Sequence, residues 1–103
     1  MHYMEGVLEV RPDHVETLSS GGLDVPYVEF GQVQSPIKLL HEGREYWYFK
    51  TLPLKGYGAV LDRYIRDLLA QGHQPLLARF FNRIYIYATG ITPIGSGKPP
   101  GAG

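Results

Sequence analysis

The side chains of this sequence that could do chemistry are its four histidines, its eight tyrosines and a few arginines and lysines set among them. His41 and His14 are the candidate catalytic residues. Imidazole is the side chain that titrates nearest neutral pH, and so it is the natural general base. Arg79 or Arg83 would then clamp an anion beside His41, the outline of a small metal-free phosphodiester-type enzyme. A covalent mechanism is poorly supplied, because Ser19-Ser20-Gly21-Gly22 carries hydroxyls without a recognisable nucleophile elbow. Glu42 and Glu45 sit beside Arg44 as a solvated ion cluster would. Neither Asp13-His14-Val15-Glu16 nor His41-Glu42-Gly43-Arg44-Glu45 has the paired-histidine spacing of a metal centre, so no metal and no cofactor is expected. The chain has no cysteine, which removes disulfides, thiolate nucleophiles, iron–sulfur clusters and zinc ribbons together.

The tyrosines follow a pattern that the histidines lack. In Glu45-Tyr46-Trp47-Tyr48-Phe49-Lys50, strand alternation sends Trp47 and Phe49 one way and Tyr46, Tyr48 and Lys50 the other. In Arg83 to Thr89, Ile84, Ile86 and Ala88 oppose Arg83, Tyr85, Tyr87 and Thr89. The same alternation sets Met4, Leu8 and Val10 against Tyr3, Glu5, Glu9 and Arg11, and Val28 and Phe30 against Tyr27 and Glu29. If the aliphatic, Trp and Phe set is the side a helix rests on, the other side collects Tyr3, Tyr27, Tyr46, Tyr48, Tyr85 and Tyr87. Tyrosine pairs a large ring with a polar tip, which suits a surface that is wet part of the time and covered the rest. High strand propensity alone would also place tyrosines on an ordinary solvated face.

The elements that must position these groups are mostly strands. Glycine and proline punctuate the chain from Pro12 to Pro75, and short β-rich runs lie between them at about 3–10, 14–19, 26–34, 36–41, 45–51, 75–81 and 84–89. The clearest hairpin runs from Pro36 to Lys50, with Gly43 taking the positive φ of a short connection with a bulge. The last pair turns at Asn82-Arg83 or is one long bent strand. Only Gly58 to Gly72 has helical period. Leu61, Ile65, Leu68 and Leu69 share one face opposite Asp62, Arg63, Arg66 and Asp67, and Gly72 supplies a left-handed stop. The expected fold is therefore α+β: a mostly antiparallel, strongly twisted or barrel-like sheet of about five to seven strands with one amphipathic helix on one face. At 103 residues it is one domain, over 1–89. A tail over 90–103 follows, with five glycines, three prolines and Lys98 as its only charge.

Lys55-Gly56-Tyr57-Gly58-Ala59-Val60 resembles the first half of the RNP1 octamer of RNA-recognition motifs. Ala59 and Asp62 stand where that octamer has stacking aromatics, and the segment runs straight into the helix rather than along a central strand. A glycine-hinged helix entry accounts for it better, with Lys55 beside backbone N–H groups that could hold an anion. Gly95-Ser96-Gly97-Lys98 lacks the first glycine, the Ser/Thr and the following helix of a P-loop.

Ten basic and ten acidic side chains give zero net charge, which is not the balance of a general nucleic-acid coater or an anionic-membrane binder. No run approaches 18 apolar residues, and the first five lack the pattern of a signal peptide, so a soluble cytoplasmic domain is expected, with no membrane partner. The leading functional expectation is a non-catalytic interaction or assembly domain. It would be a homo-oligomer, or dock a protein partner, through the tyrosine face. The alternative is a nucleotide or single-stranded nucleic-acid module. There the bases would stack on Tyr46, Tyr48, Tyr85 and Tyr87, with Tyr57 beside them and Lys50, Lys55, Arg79 and Arg83 at the phosphates. The metal-free enzyme on His41 and His14 ranks last.

Overall fold

The computed structural model describes residues 7–20, 22–30, 36–53, 55–80 and 82–91. The β-branched and aromatic runs form seven strands: β1 (Val7–Glu9), β2 (Glu16–Ser20), β3 (Leu23–Phe30), β4 (Lys38–His41), β5 (Arg44–Pro53), β6 (Pro75–Phe80) and β7 (Arg83–Ala88). One helix, α1 (Gly58–Ala70), lies between β5 and β6, and Pro12–His14 form a single 3-10 turn. The fold is α+β. All seven strands join one sheet in the order β1-β4-β5-β7-β6-β3-β2. It is a mixed sheet. β1 with β4 and β3 with β6 are parallel, and the other four pairings are antiparallel. No described pairing joins β1 to β2, so the sheet is not closed. No helix among the described residues is long and apolar enough to cross a membrane. The tail beyond Ile91, and Tyr3, Met4 and Glu5, lie outside the described residues.

Local chemistry sets the turns, and two differ from the sequence expectation. His41 pairs with Arg44, so Glu42 and Gly43 make a two-residue turn with φ of 52° and 78°. Two successive positive φ values are the signature of a type I′ hairpin, which needs no bulge at Gly43. The bulge lies further along β5, where Tyr48 faces Tyr87 but Lys50 faces Ile86, leaving Phe49 as the extra residue. The β6–β7 pairing closes at Phe80 and Arg83, one residue earlier than a turn at Asn82-Arg83, and it makes two strands rather than one bent one. His14 belongs to the 3-10 turn and not to a strand, since Pro12 presets the φ of that turn.

Helix α1 buries Leu61, Ile65 and Leu68 against Val25, Leu52, Leu77, Ile86 and Ala88 of the sheet. It ends as the glycine predicts. Gly72, at φ 86°, donates to the Leu69 carbonyl, and His73 donates to that of Leu68, which satisfies two carbonyls of the last turn. A helix wheel fixes its two flanks. Asp62, which accepts a hydrogen bond from Ser20, looks toward β2. Tyr64 packs edge-on against Phe49 of β5, with centroids 5.7 Å apart.

The other sheet face is as apolar as the helix-bearing one. Val10, Val28, Leu39, Tyr46, Leu76, Ala78, Phe80 and Tyr87 form a second buried cluster, with Leu8, Val15, Phe30, Tyr48 and Tyr85 against it. Phe80 anchors it, stacked on Phe30 at 4.7 Å and edge-on to Tyr85 at 5.2 Å. This corrects the expected division of faces. Leu8, Val10, Val28 and Phe30 lie with the tyrosines, while Tyr27 packs on the helix side. Alternation separates two faces but cannot say which is wet when both are buried.

Chain connectivity bends the sheet. Its two edge strands, β1 and β2, are consecutive in sequence and joined by Val10–Val15 alone. Seven Cα steps reach about 25 Å at most, whereas a flat sheet of this many strands is about 29 Å wide. Val10 continues the β1 ladder by donating to the Leu40 carbonyl, and both Val10 and Val15 pack into the tyrosine-side cluster. The tyrosine side is thus the inside of the bend.

Candidate functional site

Four of the six tyrosines that alternation gathers, Tyr46, Tyr48, Tyr85 and Tyr87, are neighbours, but as interior. Tyr46 is 6% exposed and Tyr87 is 0% exposed. The Tyr87 hydroxyl donates to the buried Pro36 carbonyl at 2.7 Å. Tyr48 and Tyr85 are half-buried, with ring centroids 6.0 Å apart, and the Tyr48 hydroxyl shares a 2.6 Å hydrogen bond with Thr51. These rings pack against one another and against Phe80, so a stacked base at Tyr46 or Tyr87 would have to displace core.

The basic residues expected beside them are dispersed. The bulge at Phe49 turns Lys50 onto the helix side, where its ammonium lies 5.5 Å from the Tyr64 ring and 6.0 Å from that of Phe49. Arg79 is also on the helix side, paired with Glu29 at 3.7 Å. Arg83, opposite Phe80 in register, is exposed on the tyrosine side. Lys55 is exposed in the loop before α1, and Tyr57, the residue capping that helix, packs into the helix-side cluster. One anion cannot be shared by Arg79 and Arg83 across the sheet.

The catalytic candidates do not converge either. His41 ends β4 on the tyrosine side, with its ring 6.4 Å from that of Tyr46 and Nε2 3.9 Å from the Glu42 carboxylate. Its Nδ1 is buried and has no hydrogen-bond partner. His41 faces Arg44 at one end of β5, whereas Arg83 faces Pro53 at the other. Nine residues of strand separate them, roughly 30 Å. His14 lies in the 3-10 turn between the edge strands. No group of three or more His, Asp or Glu among the described residues could hold a metal ion.

Among the described residues, a polar cluster at the β3–β6 border has the one marked electrostatic effect. The Tyr27 hydroxyl donates to the Glu29 carboxylate at 2.9 Å. Its pKa is pushed up to about 12, chiefly because partial burial disfavours the phenolate, with the Glu29 hydrogen bond and charge adding to it and Arg79 opposing. An unfolded tyrosine ionises near 10. The stabilisation from Tyr27 is therefore whole below pH 10 and is lost as pH rises through about 12. Tyr27→Phe should remove one late step from a tyrosinate absorbance titration. If the step lost lay near pH 10 instead, Tyr27 would be neither buried nor bonded to Glu29 in solution.

What alternation missed is the uncovered half of the helix-bearing face. The Phe49–Tyr64 contact marks the limit of the ground covered by α1, and β4 and β1 lie beyond it. The register lays three rows of side chains across β1, β4 and β5. Glu9, Leu40 and Glu45 form the first, and Val7, Lys38 and Trp47 the second. Phe49 and Lys50 supply the third from the bulge. Leu40, Trp47 and Phe49 are only half-buried, and Val7 is 51% exposed. Lys38 bridges the first two rows, 3.1 Å from Glu45 and 4.8 Å over the Trp47 ring. Val60, 46% exposed, extends the patch onto the helix flank, where Ala59, Val60, Arg63 and Tyr64 line a groove. The sequence does hold a signal for this surface. A helix of 13 residues is about 20 Å long and 10 Å wide, too small to cover seven strands. No known protein-family model, no curated protein and no solved structure matches the chain.

Proposed function

We propose that this domain is a non-catalytic assembly module that self-associates through the uncovered half of its helix-bearing face. The observation that carries this is the open row of Val7 and Trp47 beside a helix that stops short of it. Trp is among the residues most often found as energetic anchors of interfaces, and here the Lys38 ammonium lies 4.8 Å from its ring centroid. Zero net charge removes the long-range repulsion between copies. Relative to the sequence expectation the module keeps its role and changes its surface, because the tyrosine side is filled with its own core.

Three strands by three rows make a footprint of about 14 by 15 Å. That is small against the roughly 800 Å² per partner of a stable complex, so association is weak, and the concentrations at which to look for it run from about 10 μM to about 1 mM. Light scattering behind a sizing column, run as a concentration series over that range, tests it. The wild-type mass should rise with concentration. Trp47→Glu should stay monomeric, with association weakened by about 30-fold or more, the size of a hot-spot loss of roughly 2 kcal/mol. A wild-type chain that is monomeric throughout, or a Trp47→Glu chain that assembles equally well, rejects the proposal.

A further inference from the structure

The last described residues lie beside the open patch and on the same face. β7 finishes at Ala88, opposite Trp47 in register, and Thr89 donates a hydrogen bond to the Gln74 carbonyl at the start of β6. The next residue, Gly90, has φ 72°, and a Cβ there would come within 3.1 Å of the His73 ring just past α1. Glycine takes that backbone without strain, and the turn carries the chain onto the helix side. Ile91 then packs, half-buried, against the helix-side cluster. On that face α1 reaches toward β2 through the Asp62–Ser20 hydrogen bond, so the ground left open from Ile91 is β5, β4 and β1. Residues 92–103 continue from this point, with Ile94 as their only large apolar side chain and Lys98 as their only charge.

We infer that residues 92–98 of the same chain lie across this patch, with Ile94 against Trp47 and Lys98 at the acidic row of Glu9 and Glu45, and that self-association must displace them. The second part rests on the assembly reading above and supplies the regulation of that surface. Reach permits the contact. β7 to β1 is three strand spacings, about 14 Å, which about five extended residues cross. Three residues past Ile91 is about 10 Å, which sets Ile94 over the ground that Trp47 and Leu40 share. Pro93 biases Thr92 toward extended backbone, as a strap requires. Lys98 then comes to the β1 edge. There Glu9 is exposed, and the Glu45 carboxylate keeps about half its surface in solvent while paired to Lys38. The single charge of the segment is thus opposite to the row it meets. Concentration favours the same occupant. A short tether holds its segment at an effective concentration on the order of millimolar, whereas two copies in dilute solution meet at far less.

Trp47 is the only tryptophan of the chain, so its emission reports whether the segment covers it. At about 1 μM, below the range in which copies meet, Ile94→Asp and Lys98→Glu should each shift that emission to longer wavelength. Glu9→Lys combined with Lys98→Glu should return it toward the wild-type value, because the charge pair is then reversed rather than removed. In a light-scattering concentration series, Ile94→Asp should associate about tenfold more tightly than wild type, since no segment has to leave first. Far-UV circular dichroism checks that each variant is folded. Emission unchanged in both single variants overturns the inference and leaves assembly through Trp47 standing on its own test. A difference in emission that develops only as concentration rises puts the segment on a second copy and overturns the intramolecular contact. A shifted emission with unchanged association overturns the competition. If neither wild type nor Ile94→Asp associates at any concentration, the assembly reading fails, and the emission still decides whether the segment covers Trp47.

Discussion

Tyr87→Ser should cost about 3–5 kcal/mol of stability, the loss typical of a large buried aromatic replaced by a small residue. Tyr87 is 0% exposed on β7, between β5 and β6 and near the middle of the sheet. Its ring meets Tyr48 edge-on at 6.1 Å, inside the cluster built round Phe80. A serine there would leave a void and strand the Pro36 carbonyl that the phenol now satisfies at 2.7 Å. Tyr87→Phe separates the two effects. It keeps the ring and should cost only about 1–2 kcal/mol, for the buried carbonyl left without its donor. Urea denaturation of the three proteins measures both differences. Were Tyr87 a contact on an open platform, both substitutions would fall within about 0.5 kcal/mol of wild type.

The second large effect is expected at Ile65→Ala, about 2–5 kcal/mol. Ile65 is 0% exposed at the centre of the underside of α1, between Leu61 and Leu68. The helix is short, its first turn holds no acidic residue, and its entry residue Tyr57 makes no side-chain cap hydrogen bond. Isolated helices of this length are marginal in water, so α1 depends on that underside for its existence. Thermal unfolding should remain one transition with a lowered midpoint. A loss below about 1 kcal/mol would mean that the helix does not rest on the sheet.

Much of the architecture was legible because the periodicities are strong. The helix over Gly58 to Ala70, its stop at Gly72 and the strands either side of it follow from spacing, from the backbone freedom of glycine and from the fixed φ of proline. The grouping of Tyr46, Tyr48, Tyr85 and Tyr87 was legible too, since alternation is a local property of the strand. What alternation could not supply was the environment of each face. Val28 and Phe30 were set on the helix side because apolar was equated with covered, yet both faces of this sheet are apolar. The turning of Lys50 was invisible for another reason. A bulge at Phe49 is a relation between β5 and β7, and no pattern within β5 alone records it. Trp47 was read as core by the same equation. Its position beyond the helix depends on strand order, which places β4 and β1 at the far side of β5. The separation of His41 from Arg83 likewise exists only in the register.

The short link between the two edge strands has a consequence for the order of assembly in time. β1 and β2 are made first, yet they occupy the outermost places. β1 has no partner until Lys38–His41 exists, and β3, which carries β2, has its inner neighbour only at Pro75–Phe80. The β2–β3, β4–β5 and β6–β7 hairpins are local and can form early, whereas the two parallel pairings close long loops and must follow. The β1 strand and its link to β2 are therefore expected to close last, as a clasp across a nearly finished sheet. Its tether is short, so neither edge can settle without pulling the other toward it, and the bend of the sheet and the completion of folding become the same event.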